Sequence, residues 1–104
     1  TRDFTYVTNV VDAVIRAAET PGVAGHVFNV ATHRRISLNE LLSTLKKIFG
    51  SSVEPIYKEV RQGDVRDSQA DITKAQQMLG YQPIVGLEEG LRHTVEWFKT
   101  TASR

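Results

Sequence analysis

The sequence predicts an α/β fold of about four helices and two to three short strands. Three observations carry that expectation. Two short β-branched and aromatic runs, at residues 3–7 and 26–30, bracket a stretch with helical spacing. A capping box, Ser37-Leu38-Asn39-Glu40, opens an apolar stripe that Gly50 closes. Two more helical patterns follow, one stopped by Gly80 and one running to the end of the chain.

Each element has a local reason. Asp3-Phe4-Thr5-Tyr6-Val7 has strand composition. Thr8 or Asn9 is placed to cap the next helix, in which Val10, Val11, Val14, Ile15 and Ala18 recur with helical period and Asp12 and Arg16 pair on the opposite face. Thr20-Pro21-Gly22 ends it. His26-Val27-Phe28-Asn29-Val30 is short and apolar enough to be a buried strand, with Asn29 satisfying buried backbone groups. Strand, helix, strand over residues 3–30 has the length of one βαβ unit, whose crossover is expected to be right-handed. In the second helix Leu38, Leu41, Leu42, Leu45, Ile48 and Phe49 form the stripe. Residues 53–58 suit an edge strand, because Pro55 cannot donate to a ladder. Asp71 is expected to cap a short helix carrying Ile72, Ala75, Met78 and Leu79. The last helix is expected from about Leu87 to about Thr100, with Leu87, Leu91, Val95 and Phe98 inward. Glu88 and Glu89 at its start and Lys99 near its end match the helix dipole. Gly90 inside it costs about 1 kcal/mol relative to alanine, which suggests close packing there.

Composition narrows the function classes. A chain of 104 residues is one small domain or a part of something larger. A net charge of +1, with no basic stripe interleaved with aromatics, argues against nucleic acid as a partner. With no cysteine there is no disulfide, thiolate metal site or cysteine nucleophile, which fits a cytoplasmic location. No apolar run approaches the ~20 residues that cross a bilayer, so no membrane partner is expected. His26, His33 and His93 have no metal-ligand spacing, and Trp97 with Phe98 suits core or interface. The first residue, Thr1, is not methionine, so the chain is expected to be a fragment or a processed product.

The densest chemistry lies in Arg61-Gln62-Gly63-Asp64-Val65-Arg66-Asp67-Ser68-Gln69-Ala70-Asp71. Two arginines five residues apart flank a Gly-Asp turn just ahead of a helix. A guanidinium grips phosphate with two donors at once, and glycine admits backbone shapes that other residues resist. The segment reads as an anion-gripping loop. Arg2, at the mouth of the first predicted strand, is the second candidate, with a surface pair to Asp3 as its plain alternative.

These motifs resemble the NAD-dependent sugar-nucleotide epimerases and dehydratases of the extended short-chain dehydrogenase/reductase superfamily, nearest to UDP-glucose and UDP-N-acetylglucosamine 4-epimerases. The 61–71 run is similar to that family's Arg-x-Gly-Asp-Val-Arg-x-Ser-x-Ala-Asp segment. Residues 2–10 are similar to its Arg-Asp-Phe-x-Tyr-Val-x-(Asp/Asn)-Val segment, with Asn9 hinting at the members that handle N-acetylhexosamines. Val27-Phe28-Asn29-Val30, Ser37-Leu38-Asn39-Glu40-Leu41, Leu79-Gly80-Tyr81-x-Pro83 and Glu89-Gly90-Leu91 extend the likeness over the whole chain. Ala31-Thr32-His33 departs from it, since the family usually has Gly-Thr-Gly there.

The resemblance implies that Arg2 and Arg61 contact the diphosphate of a UDP-sugar, that Asp64 orients the loop or meets a ribose hydroxyl, and that Arg66 assists. Its chemistry needs a Gly-x-x-Gly-x-x-Gly turn for NAD and a Tyr-x-x-x-Lys pair. Neither pattern occurs: Gly22 and Gly25 follow a helix, and none of Tyr6, Tyr57 or Tyr81 has lysine four residues later. Residues 1–104 are therefore expected to be the C-terminal, substrate-binding domain lacking the Rossmann half. Such a part binds no cofactor itself, is inactive alone, and needs the N-terminal half that carries NAD. Apolar surface left uncovered would favour self-association. A free-standing nucleotide-sugar-binding or interaction module, or the same part of a dehydratase, decarboxylase or reductase, are the alternatives.

Overall fold

The computed structural model describes residues 1–50, 54, 56–58, 63 and 66–102. Four helices follow in order: α1 (Val7–Glu19), α2 (Leu38–Phe49), α3 (Thr73–Leu79) and α4 (Leu87–Ala102).

Local signals set most of the ends. Ser37 caps α2 by accepting the Glu40 N–H on its hydroxyl at 3.1 Å, and Gly50 closes that helix in the left-handed region at φ 69. Gly80 does the same for α3 at φ 65. Asp71 holds the start of α3, its carboxylate accepting from the Thr73 N–H at 2.9 Å and the Thr73 hydroxyl at 2.6 Å. Those two bonds hold the Asp71 carboxyl below the ordinary carboxylate range, the hydroxyl being the larger influence. The start of α1 differs from expectation. The helix begins at Val7, Tyr6 is its N-cap, and no side chain caps it, so Thr8 and Asn9 lie inside the helix.

The expected strands are not formed among the described residues, where the β-pairing is one antiparallel bridge between Arg2 and Ile36. It is closed by Arg2 N–H to Ile36 C=O and Ile36 N–H to Arg2 C=O, both 2.9 Å. A strand needs a neighbour along its whole edge, and among the described residues none pairs along residues 3–7 or 26–30. The alternation of a strand still survives at 26–30. Phe28 and Val30 are half-buried while Val27 and Asn29 are exposed, so Asn29 does not serve buried backbone groups. There is accordingly no βαβ crossover. Residues 54 and 56–58 are not in a strand, and Val53 and Pro55, on which the expected edge strand leaned, lie outside the described residues.

Packing divides the molecule. α1 rests on α3, and α2 on α4. Around the first pair Ala13, Ala31, Ile72, Ala75, Leu79 and Tyr81 form the buried cluster. α2 has no buried residue, and Val95 is the buried apolar side chain of α4. The radius of gyration is 16.5 Å, whereas a self-contained domain of this length has about 13 Å.

The rotation of α1 accounts for part of that openness. Its buried face carries Asn9 and Ala13, with Asp12 and Arg16 half-covered, and the apolar stripe points outward. Val7 is 61% exposed, Val14 62% and Ile15 51%. On α4, Phe98 is exposed rather than inward, and Trp97 is also in solvent. The expectation for Gly90 holds. A Cβ there would meet the Tyr6 Cβ at 2.9 Å, so only glycine lets the 4–7 segment lie against the helix.

Candidate functional site

Three segments far apart in sequence converge at one end of the molecule: residues 1–3, the 31–33 turn and residues 66–70. The Ser68 N–H donates to the Thr1 carbonyl at 3.0 Å. The Arg2 guanidinium donates through Nη1 to the Thr1 carbonyl at 2.7 Å and to the Arg66 carbonyl at 3.3 Å. Arg2 therefore does not pair with Asp3. Asp3 Oδ1 accepts from the Thr32 N–H at 3.1 Å and from the Thr32 hydroxyl, tying residue 3 to the 31–33 turn. Its other oxygen, Oδ2, is buried and without a protein partner.

The 31–33 turn is fastened to the loop as well. His33 Nδ1 bonds the Ala70 carbonyl at 2.9 Å, and the Gln69 side-chain amide donates to the His33 carbonyl at 2.8 Å. His33 has φ 59, the left-handed value that glycine adopts freely. The departure from Gly-Thr-Gly thus changes the side chain while the backbone stays in a glycine-like shape.

The predicted site residues are distributed as follows. Arg2 is half-buried with a fixed guanidinium. Arg66 is exposed, and its carbonyl rather than its side chain meets Arg2. Gly63 is exposed with φ 86, as a Gly-Asp turn requires. Arg61 and Asp64 lie outside the described residues. Asp67, next to this loop, is held below the ordinary carboxylate range, first by the Thr1 hydroxyl at 2.8 Å and then by the Thr1 amino group.

Asn9 has a role that its sequence position did not reveal. It is completely buried; its Oδ1 accepts from the N–H groups of Ile84 (2.8 Å) and Val85 (3.0 Å), and its Nδ2 donates to the Val85 carbonyl at 2.9 Å. It clasps α1 to the chain that leads into α4. The structural reason for an amide here is that it can donate and accept at once, which a carboxylate cannot. The residue therefore explains itself without reference to the sugar.

Two shallow grooves lie beside the convergence. One of about 280 Å³ runs between residues 4–7 and α4, over Gly86, Gly90 and Thr94. The other, about 170 Å³, is bordered by Phe4, Thr32, Arg34, Ile36 and Val85. Complete small-molecule sites run about 300–1,000 Å³, so each groove has the size of part of a cleft. Among the described residues, no group of His, Cys, Asp and Glu could hold a metal.

The residues present do not fit NAD. Gly22 and Gly25, at φ 79 and 81, sit in the turn after α1 and open no helix. Tyr81 and Tyr6 are both held by packing contacts. Tyr81 is wholly buried and donates its hydroxyl to the Ala31 carbonyl at 2.7 Å. Burial first, then the charges of Asp12 and Asp3, push it above its ordinary pKa, the opposite of what a base needs. Tyr6 is stacked on His93 at 5.6 Å.

Comparison with known proteins places this architecture. A UDP-glucose 4-epimerase of Mycolicibacterium smegmatis is 42% identical over 99 residues, covering 95% of this chain and 31% of that protein. The crystal structure of UDP-glucose 4-epimerase with UDP-glucose from Thermotoga maritima superposes with a TM-score of 0.88 at 47% identity, covering 96% of this chain and 32% of that one. UDP-glucuronic acid 4-epimerase from Bacillus cereus, in complex with UDP-glucuronic acid and NAD, gives 0.88 at 31% identity, over 95% and 32% of the two chains. A UDP-glucuronic acid decarboxylase of Arabidopsis thaliana is 35% identical over 99 residues and is covered to 28%. The chain thus spans about a third of the length of the relatives it matches. The family model described as GDP-mannose 4,6 dehydratase matches residues 1–94, and the chain belongs to that family of NAD-dependent sugar-nucleotide epimerases and dehydratases.

Proposed function

We propose that this chain is the nucleotide-diphosphate-gripping, C-terminal part of an NAD-dependent UDP-sugar 4-epimerase, with NAD and the catalytic tyrosine–lysine pair supplied from outside it. One observation carries the reading: the guanidinium of Arg2 lies against the carbonyl of Arg66, so Arg2 and the end of the 61–71 run share one end of the molecule. The five residues between Arg61 and Arg66 span at most about 18 Å, a limit that allows Arg61 to reach the same ligand. Arg2 and Arg61 then hold the two phosphates from separate loops, Asp64 orients the loop or a ribose hydroxyl, and Arg66 assists. Two guanidiniums set both the charge and the register of a pyrophosphate.

Three further features support a part that works with a larger body: the outward apolar stripe of α1, the open shape, and the unpartnered buried oxygen of Asp3. Alone, the chain is inactive in epimerisation and self-associates through the α1 stripe. The UDP-glucose and UDP-glucuronic acid relatives favour UDP as the nucleotide, and a cytoplasmic location fits the lack of cysteine. No helix among the described residues is long and apolar enough to cross a membrane. The decarboxylase among the relatives supports a second reading, in which the same grip serves a decarboxylating or dehydrating parent.

Calorimetric titration with UDP tests the proposal. Arg2→Ala and Arg61→Ala should each weaken binding by about 10- to 100-fold, the worth of one charge-assisted hydrogen-bonding group. Absence of UDP binding by the unaltered chain, or binding indifferent to both substitutions, would overturn it.

A further inference from the structure

We infer that His33 is a positioning residue: its imidazole and its left-handed backbone latch residues 69 and 70 onto the 31–33 turn and so set where residues 66–70 stand against Arg2. As a role in ligand binding, this rests on the diphosphate-grip reading above.

His33 is the non-glycine residue with positive φ among the described residues. A side chain with a Cβ is disfavoured there, and such a conformation persists only where surrounding contacts impose it. Here the contacts are on the page. The ring bonds the Ala70 carbonyl at 2.9 Å, and the His33 carbonyl receives the Gln69 amide at 2.8 Å, so one residue grips two consecutive residues of the loop. A carbonyl can only accept, so Nδ1 carries a proton in this bond.

The turn bearing His33 is itself fixed. Asp3 Oδ1 binds both the N–H and the hydroxyl of Thr32. Asp3 follows Arg2, whose guanidinium reaches the Arg66 carbonyl, and Ser68 N–H closes onto the Thr1 carbonyl. The result is a closed ring of three segments: 1–3 to 32, 33 to 69–70, and 66–68 back to 1–2. A glycine at position 33 would reach the same φ without strain, but it would leave the ring open at the Ala70 carbonyl. The histidine therefore adds a link that backbone geometry alone does not demand.

The test combines site-resolved amide hydrogen exchange with UDP titration on the full chain. The Ser68 amide reports loop docking, and the Gln76 amide, bonded to the Ile72 carbonyl at 3.0 Å at the start of α3, reports the core. His33→Gly should accelerate Ser68 exchange by about 10-fold, the worth of the one ring hydrogen bond it removes, while Gln76 is unchanged. UDP affinity should fall by about 3- to 10-fold. His33→Asn tolerates positive φ and carries an amide donor, so it should recover part of both losses. Unchanged Ser68 exchange, or equal acceleration of Ser68 and Gln76, overturns the latch. UDP binding that needs Arg2 yet ignores His33→Gly while Ser68 accelerates overturns the positioning role. If the unaltered chain binds no UDP, the grip reading and the ligand role of His33 fall together, and Ser68 exchange still decides whether the latch exists.

Discussion

The two helix pairs are built differently. α1 and α3 enclose a buried cluster, and the chain around them is tied by long-range polar bonds: the Asn9 clasp, the Tyr81–Ala31 bond and the ring of segments around His33. α2 and α4 meet through half-buried leucines and the exposed Lys47–Glu88 pair at 3.5 Å, while Arg92 pairs with the same Glu88 within α4 at 2.9 Å. Buried hydrogen bonds are costly to break because the stranded group cannot return to water. Exposed ion pairs contribute little, since water and salt replace them. The first pair therefore holds the candidate site rigidly, and the second is a softer flank.

The comparison breaks most readily at Asn9. Asn9→Ala strands two N–H groups and a carbonyl at about 1–3 kcal/mol each, so a loss of at least ~3 kcal/mol is expected in urea unfolding. Asn9→Asp keeps the oxygen that accepts both N–H groups but sets a second oxygen of a buried carboxylate against the Val85 carbonyl, so it should be destabilising as well. A mild effect of Asn9→Ala would deny the α1 side its rigidity.

Gly90→Ala comes next. It drives a methyl into Tyr6, and overpacking of about 1–3 kcal/mol should outweigh the ~1 kcal/mol gained in helix propensity. A stabilised variant would mean that residues 4–7 yield easily.

Tyr81→Phe should cost about 1 kcal/mol, since it strands the Ala31 carbonyl. Titration gives the same contrast a sign. Tyr81 is raised above its ordinary value of 10.0 by burial, so its contribution is whole below that value and is lost as pH rises through the higher folded value. The α1–α3 side should thus melt first in alkali, followed by tyrosinate absorbance.

The smallest effect belongs to α2–α4. Glu88 is held below its ordinary 4.5, by Arg92 first and then Lys47, so its bonds act above that value and are lost as pH falls through the lower folded one. Because Glu88 is exposed, Glu88→Gln should leave stability nearly unchanged, and salt should erase any difference. A larger, salt-resistant effect would show the flank to be as tightly built as the core.

The chain's local grammar was legible before any coordinates. Ser37 and Glu40, Gly50, Gly80, Asp71 and the spacing of leucines and valines act within four or five residues, and the helices form where they indicate. Gly90 gave away its tight contact because a glycine inside a helix needs a reason. In the candidate site, Arg2 and the 61–71 loop stood out by chemistry. His33, Thr32 and Gln69 did not, because a lone histidine in a turn carries no pattern; the one signal was its place in a position that favours glycine.

Sequence alone therefore determined where helices start and stop and which side chains can grip an anion. Tertiary structure decided which face of α1 turns inward, that the strand-like runs form no strand among the described residues, and that residues 2, 33 and 66–70 meet. The physical reason is range. Caps and helical periods are settled by neighbours one turn away, whereas strand pairing, helix rotation and loop closure depend on groups thirty to eighty residues distant. For residues 3–7, 26–30 and the α1 stripe, no such group lies among the described residues.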